Sequence, residues 1–343
     1  MKKYLICLGL GKNQIKLIKL INSNYQIIGI DRVLSTQAKK FINLYFKSSI
    51  YNIVEINKII KKIKTKKIKI ESILYRSSGP TILSAELLER KFNITRISPQ
   101  LRDCIYSKGF FFNFLKKNDI KGMSSNRISN HLSIKKKNYI LKPDAPIYGK
   151  KNIFSFNKTK SVSKFNLCKN ESHNKKVNVS NFHEGNDIST FYLIDNKKSK
   201  ITLLSHIEEF NEFRNNRLYS HGLCVPPIFS DQKLIRNKEK VDKSIIKLFA
   251  NFYGIASISS KITKNRTVLP YEINIGLSGD KFADHIFPYI YKNRSLYKIE
   301  LNMALFKTKI NMINQLNKFV GFIQKKRFLS KVNFLKKLNK IKR

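Results

Sequence analysis

Along the first third of the chain, apolar residues gather in short runs separated by stretches of helical period. Residues 4–8 are a continuous apolar run followed by Gly9-Leu-Gly11, which reads as a buried strand entering a tight turn. Residues 14–21 carry the 3.6-residue spacing of an amphipathic helix, and residues 25–30 form a second strand ending in Asp31. The pattern repeats with a helix near 36–45, a basic amphipathic helix near 54–63, a strand at 70–75, a Ser77-Ser-Gly-Pro80 turn and a helix over 81–90. Such alternation predicts a parallel sheet with helices on both faces.

Ser98-Pro99 marks a helix start, with the serine as N-cap and the proline at the first helical position. From about residue 121 short strands with lysine-rich links take over. Residues 139–143 form a strand that delivers Lys142 to its end, where Pro143 forbids a continuing helix. The following loop contains Gly149-Lys150-Lys151, and positive charge at a flexible glycine suits a phosphate. Residues 155–176 read as a link or a weakly ordered helix, 177–182 as a strand, and 191–194 with 201–205 as a hairpin. The apolar stretch Leu269-Pro-Tyr-Glu-Ile-Asn-Ile275 is a further strand. Alternation sends Glu272 and Asn274 to one face, where converging oxygens suit a hard cation such as Mg²⁺. A solvated charge at a strand end is the competing reading of Glu272. In the basic tail, Phe319, Phe322 and Ile323 share one helical face and Leu335, Leu338 and Ile341 another. Packing against the body of the protein or lying at a membrane surface would each suit such helices.

A length of 343 residues accommodates two or three domains. No apolar run spans a bilayer, and the short apolar N-terminus reads as a strand and not a signal peptide. Cys7, Cys104, Cys168 and Cys224 are dispersed without a Cys-x-x-Cys pair. That argues against disulfides or zinc and for reduced thiols in a cytoplasm. Gly9-x-Gly11 with Asp31 is half of a dinucleotide fingerprint, but Gln14 fills the place of the third glycine. The formal net charge of +46 favours association with polyanions. Lysine outnumbers arginine, however, and is spread over the whole length, whereas base readers are more often arginine. No specific nucleic-acid partner is expected.

Taken in order, several of these segments resemble the ATP-grasp superfamily. They are the β-α start, Ser77-Ser-Gly-Pro80, the Ser98-Pro helix running to Lys108, Lys142-Pro143, His183-Glu-Gly-Asn-Asp-Ile-Ser189 and Glu272-Ile-Asn274. The chain is most similar to ligases of the carbamoyl-phosphate synthetase, biotin carboxylase and L-amino-acid ligase type. The resemblance implies a Rossmann-like pre-ATP-grasp α/β domain over 1–120 and α+β ATP-grasp lobes over 121–290, with a basic helical extension over 291–343. It implies ATP and Mg²⁺ as cofactors. Lys108, Lys142, Gly149 and Lys150 would face the phosphates, Glu184 and Asp187 the adenosine, and Glu272 with Asn274 the metal and the chemistry. The implied activity joins a small-molecule carboxylate to an amine or thiol through an acyl phosphate, and a homodimer is compatible with it. Three departures stand out. Gly276 replaces the arginine of the family's Glu-Ile-Asn-Pro-Arg, Ser259 replaces a glutamate on the preceding strand, and Ser180 and Asn181 replace two hinge glutamates. They keep open a nucleotide-binding protein of weakened catalysis, while the charge alone keeps open a non-specific nucleic-acid binder.

Overall fold

The computed structural model describes residues 2–21, 24–75, 79–131, 139–147, 153–156, 162–195, 198–277, 282–292, 294–306, 318–323 and 329–342. Its first part alternates β1 (Lys3–Leu8), α1 (Lys12–Ile18), β2 (Tyr25–Asp31), α2 (Thr36–Lys39), β3 (Leu44–Lys47), α3 (Ile53–Thr65), β4 (Lys69–Tyr75) and α4 (Thr81–Lys91). The strands form a parallel sheet in the order β3-β2-β1-β4, as the alternation predicts. α3 buries Ile56, Ile59, Ile60 and Ile63, the i, i+3, i+4, i+7 stripe of a helix on a sheet face. The helix read near 36–45 is shorter than expected. It stops at Lys39, and Leu44–Lys47 pairs with β2 instead. The contiguous Leu44, Tyr45 and Phe46 fit a pleated surface, and the Asn43 side chain accepts a hydrogen bond from the Ile27 N–H (2.8 Å). Asp31 caps the glycine turn from within, accepting from the Leu10 N–H at 2.5 Å.

Two helices then carry the chain to the second part: α5 (Pro99–Tyr106), capped by Ser98, and α6 (Lys108–Lys117), capped by Ser107. There follow β5 (Ser125–Ile128), β6 (Tyr139–Pro143), β7 (Phe154–Phe156), α7 (Val162–Glu171), β8 (Val177–Asn181), β9 (Gly185–Asp195), β10 (Lys200–Arg214), β11 (Arg217–Val225), α8 (Gln232–Lys247), β12 (Tyr253–Thr263) and β13 (Val268–Ile275). A π-helical turn (Phe282–Ile286), α9 (Phe287–Ile290), α10 (Leu296–Ala304), β14 (Val320–Ile323) and α11 (Lys331–Lys342) complete it. The strands make an antiparallel sheet ordered β13-β12-β9-β10-β11-β7-β6-β8-β5, with β14 added to β11. Among the described residues the β11–β7 register is the single pair Arg217↔Phe154, a short seam between two groups of strands.

The tail departs from its helical reading, because Phe322 and Ile323 lie in β14, paired with Leu223 and Gly222 of β11. A four-residue apolar run has no periodicity that separates helix from strand. The open edge of β11 decides it, and Phe334 and Leu338 of α11 close over Ile323 and Cys224. One core runs from Ile6 and Ile73 of the parallel sheet through Leu101, Phe111 and Phe114 to Ile258 and Ile273. The two parts thereby face a common cleft. Among the described residues, no helix is long and apolar enough to cross a membrane.

Candidate functional site

The cleft has a volume of about 880 Å³ and is lined from both parts of the chain. Its floor is the inward face of β13, β12, β9 and β10. Period-2 alternation exposes Glu272 and Asn274, Ser257, Ser259 and Lys261, Asp187 and Ser189, and Glu209 and Asn211 to the same space. Register aligns them in rows: Glu272 opposes Ser259 and Ser259 opposes Ser189, while Lys261 opposes Asp187 and Asp187 opposes Glu209. Ser189 Oγ and Ser259 Oγ are 2.7 Å apart, and Ser189 Oγ donates to Glu209 Oε1 at 3.0 Å.

Lys108 and Lys142 enter from the opposite side. Lys108 opens α6 and forms an ion pair with Glu272. Lys142 ends β6, with its Nζ 5.1 Å from the centroid of the Tyr271 ring. Loss of hydration inside the cleft, aided by the nearby Lys108, lowers the pKa of the Lys142 ammonium to about 8 against the pull of Glu272 and Asp187. The two lysines are locked together by Asp144, which is fully buried. Its carboxylate accepts from Ser107 Oγ (2.6 Å), the Gly109 N–H (2.8 Å) and Asn174 Nδ2 (2.7 Å). Its carbonyl accepts from the Lys108 N–H at 3.0 Å. An anion at a helix N-terminus is held by unpaired N–H groups and the helix dipole, and this one adjoins the strand end that carries Lys142.

The expected adenosine contacts differ from each other. Asp187 lies inside the cleft, paired with Lys261 (2.8 Å) and accepting from Asn211 Nδ2 (3.0 Å). Glu184 lines the mouth, its exposed side chain paired with the exposed Lys264. That hydrogen bond and charge hold the carboxyl below its usual range. Gly185 is required at this entry. Its φ is +146°, and a Cβ there would stand 2.0 Å from the Ile262 carbonyl oxygen. Gly149 and Lys150 lie outside the described residues. Lys108, Lys142, Glu184, Asp187, Glu272 and Asn274 thus line one cleft, although 166 residues separate the first from the last.

Lys261, Glu209 and Ser189 line the cleft without being singled out as site residues by the sequence. The signal for Lys261 was present, two residues beyond Ser259 on the same strand face. Glu209 and Ser189 needed the pairing of β9 with β10. No arginine lines the cleft among the described residues. Arg214 pairs with Glu212 (3.2 Å), Arg266 pairs with Asp231 (2.5 Å), and Arg217 lies over the Tyr219 ring. His221 Nε2 lies 2.8 Å from a Glu212 carboxylate oxygen and Cys224 is buried. Among the described residues no three His, Cys, Asp or Glu side chains converge as a metal cage. Oxygen ligation here would come from Glu272 and Asn274 with ligand and water oxygens, the way Mg²⁺ is commonly held.

No family model and no curated protein matches the sequence. Solved structures do match in shape. An L-amino acid ligase from Bacillus licheniformis is 11% identical, with 93% of this chain and 79% of that one covered and a TM-score of 0.70. An N5-carboxyaminoimidazole synthetase from Staphylococcus aureus, complexed with ADP, is 18% identical over 93% and 81% of the two chains, with a TM-score of 0.67. The biotin carboxylase domain of a Hydrogenobacter thermophilus 2-oxoglutarate carboxylase, complexed with MgADP and bicarbonate, is 14% identical over 93% and 73%, with a TM-score of 0.70. With a parallel α/β sheet leading into an antiparallel sheet around a shared cleft, this chain has the ATP-grasp fold.

Proposed function

We propose that the protein is an ATP-dependent ligase that joins a small-molecule carboxylate to an amine, with a thiol as the alternative acceptor, through an acyl phosphate. The observation that carries this reading is the confrontation of Lys108 and Lys142 with Glu272 and Asn274 across one cleft. The shared fold with proteins crystallised with ADP and MgADP supports it. In this reading residues 1–120 are the pre-ATP-grasp domain, 121–290 the ATP-grasp lobes and 291–343 a basic extension, in a cytoplasmic enzyme. Lys142 and Lys108 neutralise phosphate charge, Asp187 and the segment around Glu184 hold the adenosine, and Glu272 with Asn274 supply the protein oxygens for Mg²⁺. When bound, Mg²⁺ screens the phosphate charge so that a carboxylate can approach. The side chains act by position and charge more than by covalent chemistry, as phosphoryl transfer requires. Loss of the Glu272 ion pair frees Lys108, so nucleotide entry exchanges one anionic partner of that lysine for another.

A second reading, nucleotide binding without turnover, is favoured by Ser259 and Gly276 at positions where the resemblance implies a glutamate and an arginine. Calorimetric titration with ATP, with and without Mg²⁺, tests the first. Wild type should bind MgATP more tightly than metal-free ATP. In Glu272→Gln that advantage should fall by about tenfold or more, the equivalent of one charge-assisted contact of roughly 1.5–3 kcal/mol. Equal Mg²⁺ dependence in the two proteins removes Glu272 from the site. MgATP binding without ADP release across carboxylate and amine pairs selects the second reading.

A further inference from the structure

Behind Gly276, where β13 ends beside the carboxyl end of β4, lies a buried group of charges that the proposed phosphoryl transfer does not use. Arg96 is fully engaged there. Its Nε donates to Glu89 Oε1 (3.0 Å), its backbone N–H to Glu89 Oε2 (2.9 Å) and a terminal nitrogen to the Ile73 carbonyl (2.7 Å). Glu300, in the middle of α10, is a second carboxylate in the group. It is 7% exposed, and its Oε2 is buried with no hydrogen-bond partner among the described residues. Among the described residues, Glu89, Arg96 and Glu300, when ionised, carry one negative charge in excess. Burial is the main reason that the Glu300 pKa rises to about 6, with Arg96 opposing and Glu89 adding to the rise.

The surroundings specify what would satisfy that charge. Gly276 has φ +71°, and the point where its Cβ would stand is 3.6 Å from the Tyr75 carbonyl oxygen and 3.9 Å from Glu300 Oε1. Chain neighbours aside, no other heavy atom of the described residues lies within 4 Å of that point. Among the described residues, chain neighbours aside, two acceptors and no donor therefore face a place without a side chain. An ammonium group, with three N–H donors and a positive charge, complements the two acceptors in charge and in hydrogen-bonding sense. The location agrees with the rule that ligands of parallel α/β sheets bind beyond the carboxyl ends of the strands. Gly276 follows Asn274, which lines the cleft, by two residues, about 7 Å along an extended chain, so the place adjoins the end of the strand that carries Glu272 and Asn274.

We propose that Glu300 Oε1 and the Tyr75 carbonyl oxygen form a binding site for the primary ammonium group of a substrate, opened by the absence of a side chain at Gly276. The identity of the bound amine as a ligase substrate rests on the function proposed above, whereas the ammonium site itself does not. The test measures melting temperatures of wild type and Glu300→Gln at pH 8, in methylammonium chloride and in equal concentrations of sodium chloride and tetramethylammonium chloride. Methylammonium should raise the wild-type value by about 2 °C or more over both controls, as a ligand of the folded state does. It should bring no selective rise in Glu300→Gln. The variant in sodium chloride should melt no lower than wild type. Equal shifts in the two proteins, a wild-type response no larger than in the controls, or a lower melting temperature of the variant would each overturn the site in favour of a structural or non-selective role. MgATP affinity, measured in the same two proteins, should agree within about twofold. Absence of MgATP binding from both sinks the ligase reading while leaving the methylammonium result to stand by itself.

Discussion

Lys142 and Glu300 are both ionisable groups held where water is scarce, and in both the cost of desolvation points to function. The Lys142 ammonium is shifted down to about 8 chiefly by desolvation, so the folded protein keeps it charged at some expense. Lys142→Met should therefore weaken ATP binding by about tenfold or more, one charge-assisted contact, without lowering the melting temperature. Calorimetry and a thermal melt on the same sample read both outcomes. For Glu300 the folded pKa, about 6, lies above the ordinary glutamate value of 4.5. The linked stability is complete below pH 4.5 and is lost as pH rises through 6. Replacement by glutamine removes the titrating group, so its advantage over wild type should be absent near pH 4 and grow to about 2 kcal/mol by pH 8. Denaturant unfolding at the two pH values checks this, and an advantage confined to low pH contradicts it. A residue whose removal stabilises the fold matches the trade between stability and binding seen at functional sites.

The elements around the cleft are joined by a few buried polar groups, each binding a helix to a strand. Asp144 joins the start of α6 to the end of β6 and so sets the separation of Lys108 from Lys142. Asp144→Asn keeps the shape but turns one acceptor into a donor facing Ser107, Gly109 and Asn174. It should destabilise by about 1–3 kcal/mol and weaken ATP binding along with stability. On the far side of the sheet, α8 carries a fully buried Lys238–Asp242 pair at 2.5 Å. Lys238 also donates to the Ile258 carbonyl (3.0 Å), and Tyr192 Oη donates to Asp242 Oδ2 (3.0 Å). This clamp fixes β12 and β9 from behind, beneath Ser259 and Ser189. Lys238→Met alone strands a buried carboxylate and should cost about 3–5 kcal/mol, whereas Lys238→Met with Asp242→Leu should recover most of that loss. Urea unfolding of both variants distinguishes the pair from simple packing. The capped helix starting at Pro99, the helix starting at Thr81 and the strands ending at Pro143 and Tyr75 were readable in the sequence, since caps, turns and periodicity are local. β3 and β14 were not, because short apolar runs take their conformation from the strand edge on offer.

Over the whole molecule the net charge of +46 is spread over the chain, while the described cleft lining sets three lysines against five carboxylates. Binding to duplex DNA should accordingly be weak, indifferent to sequence and steeply reduced by salt, since scattered lysines contact phosphates and not base edges. Filter binding of unrelated duplexes at two salt concentrations checks this, and a preference for one duplex at physiological salt contradicts it. The sequence by itself determined the alternation of strand and helix, the helix starts, and the common face of Glu272 and Asn274. Each depends on residues a few positions apart, where φ, ψ and side-chain direction repeat with a fixed period. Only the tertiary structure decided that Lys108 meets Glu272, that Lys261 meets Asp187, and that Ser259 connects through Ser189 to Glu209. It likewise decided that Glu300 faces Gly276. These partners come from different strands and helices, and no local period encodes their meeting. Sheet register and the packing of α6 and α10 against the strands bring them together.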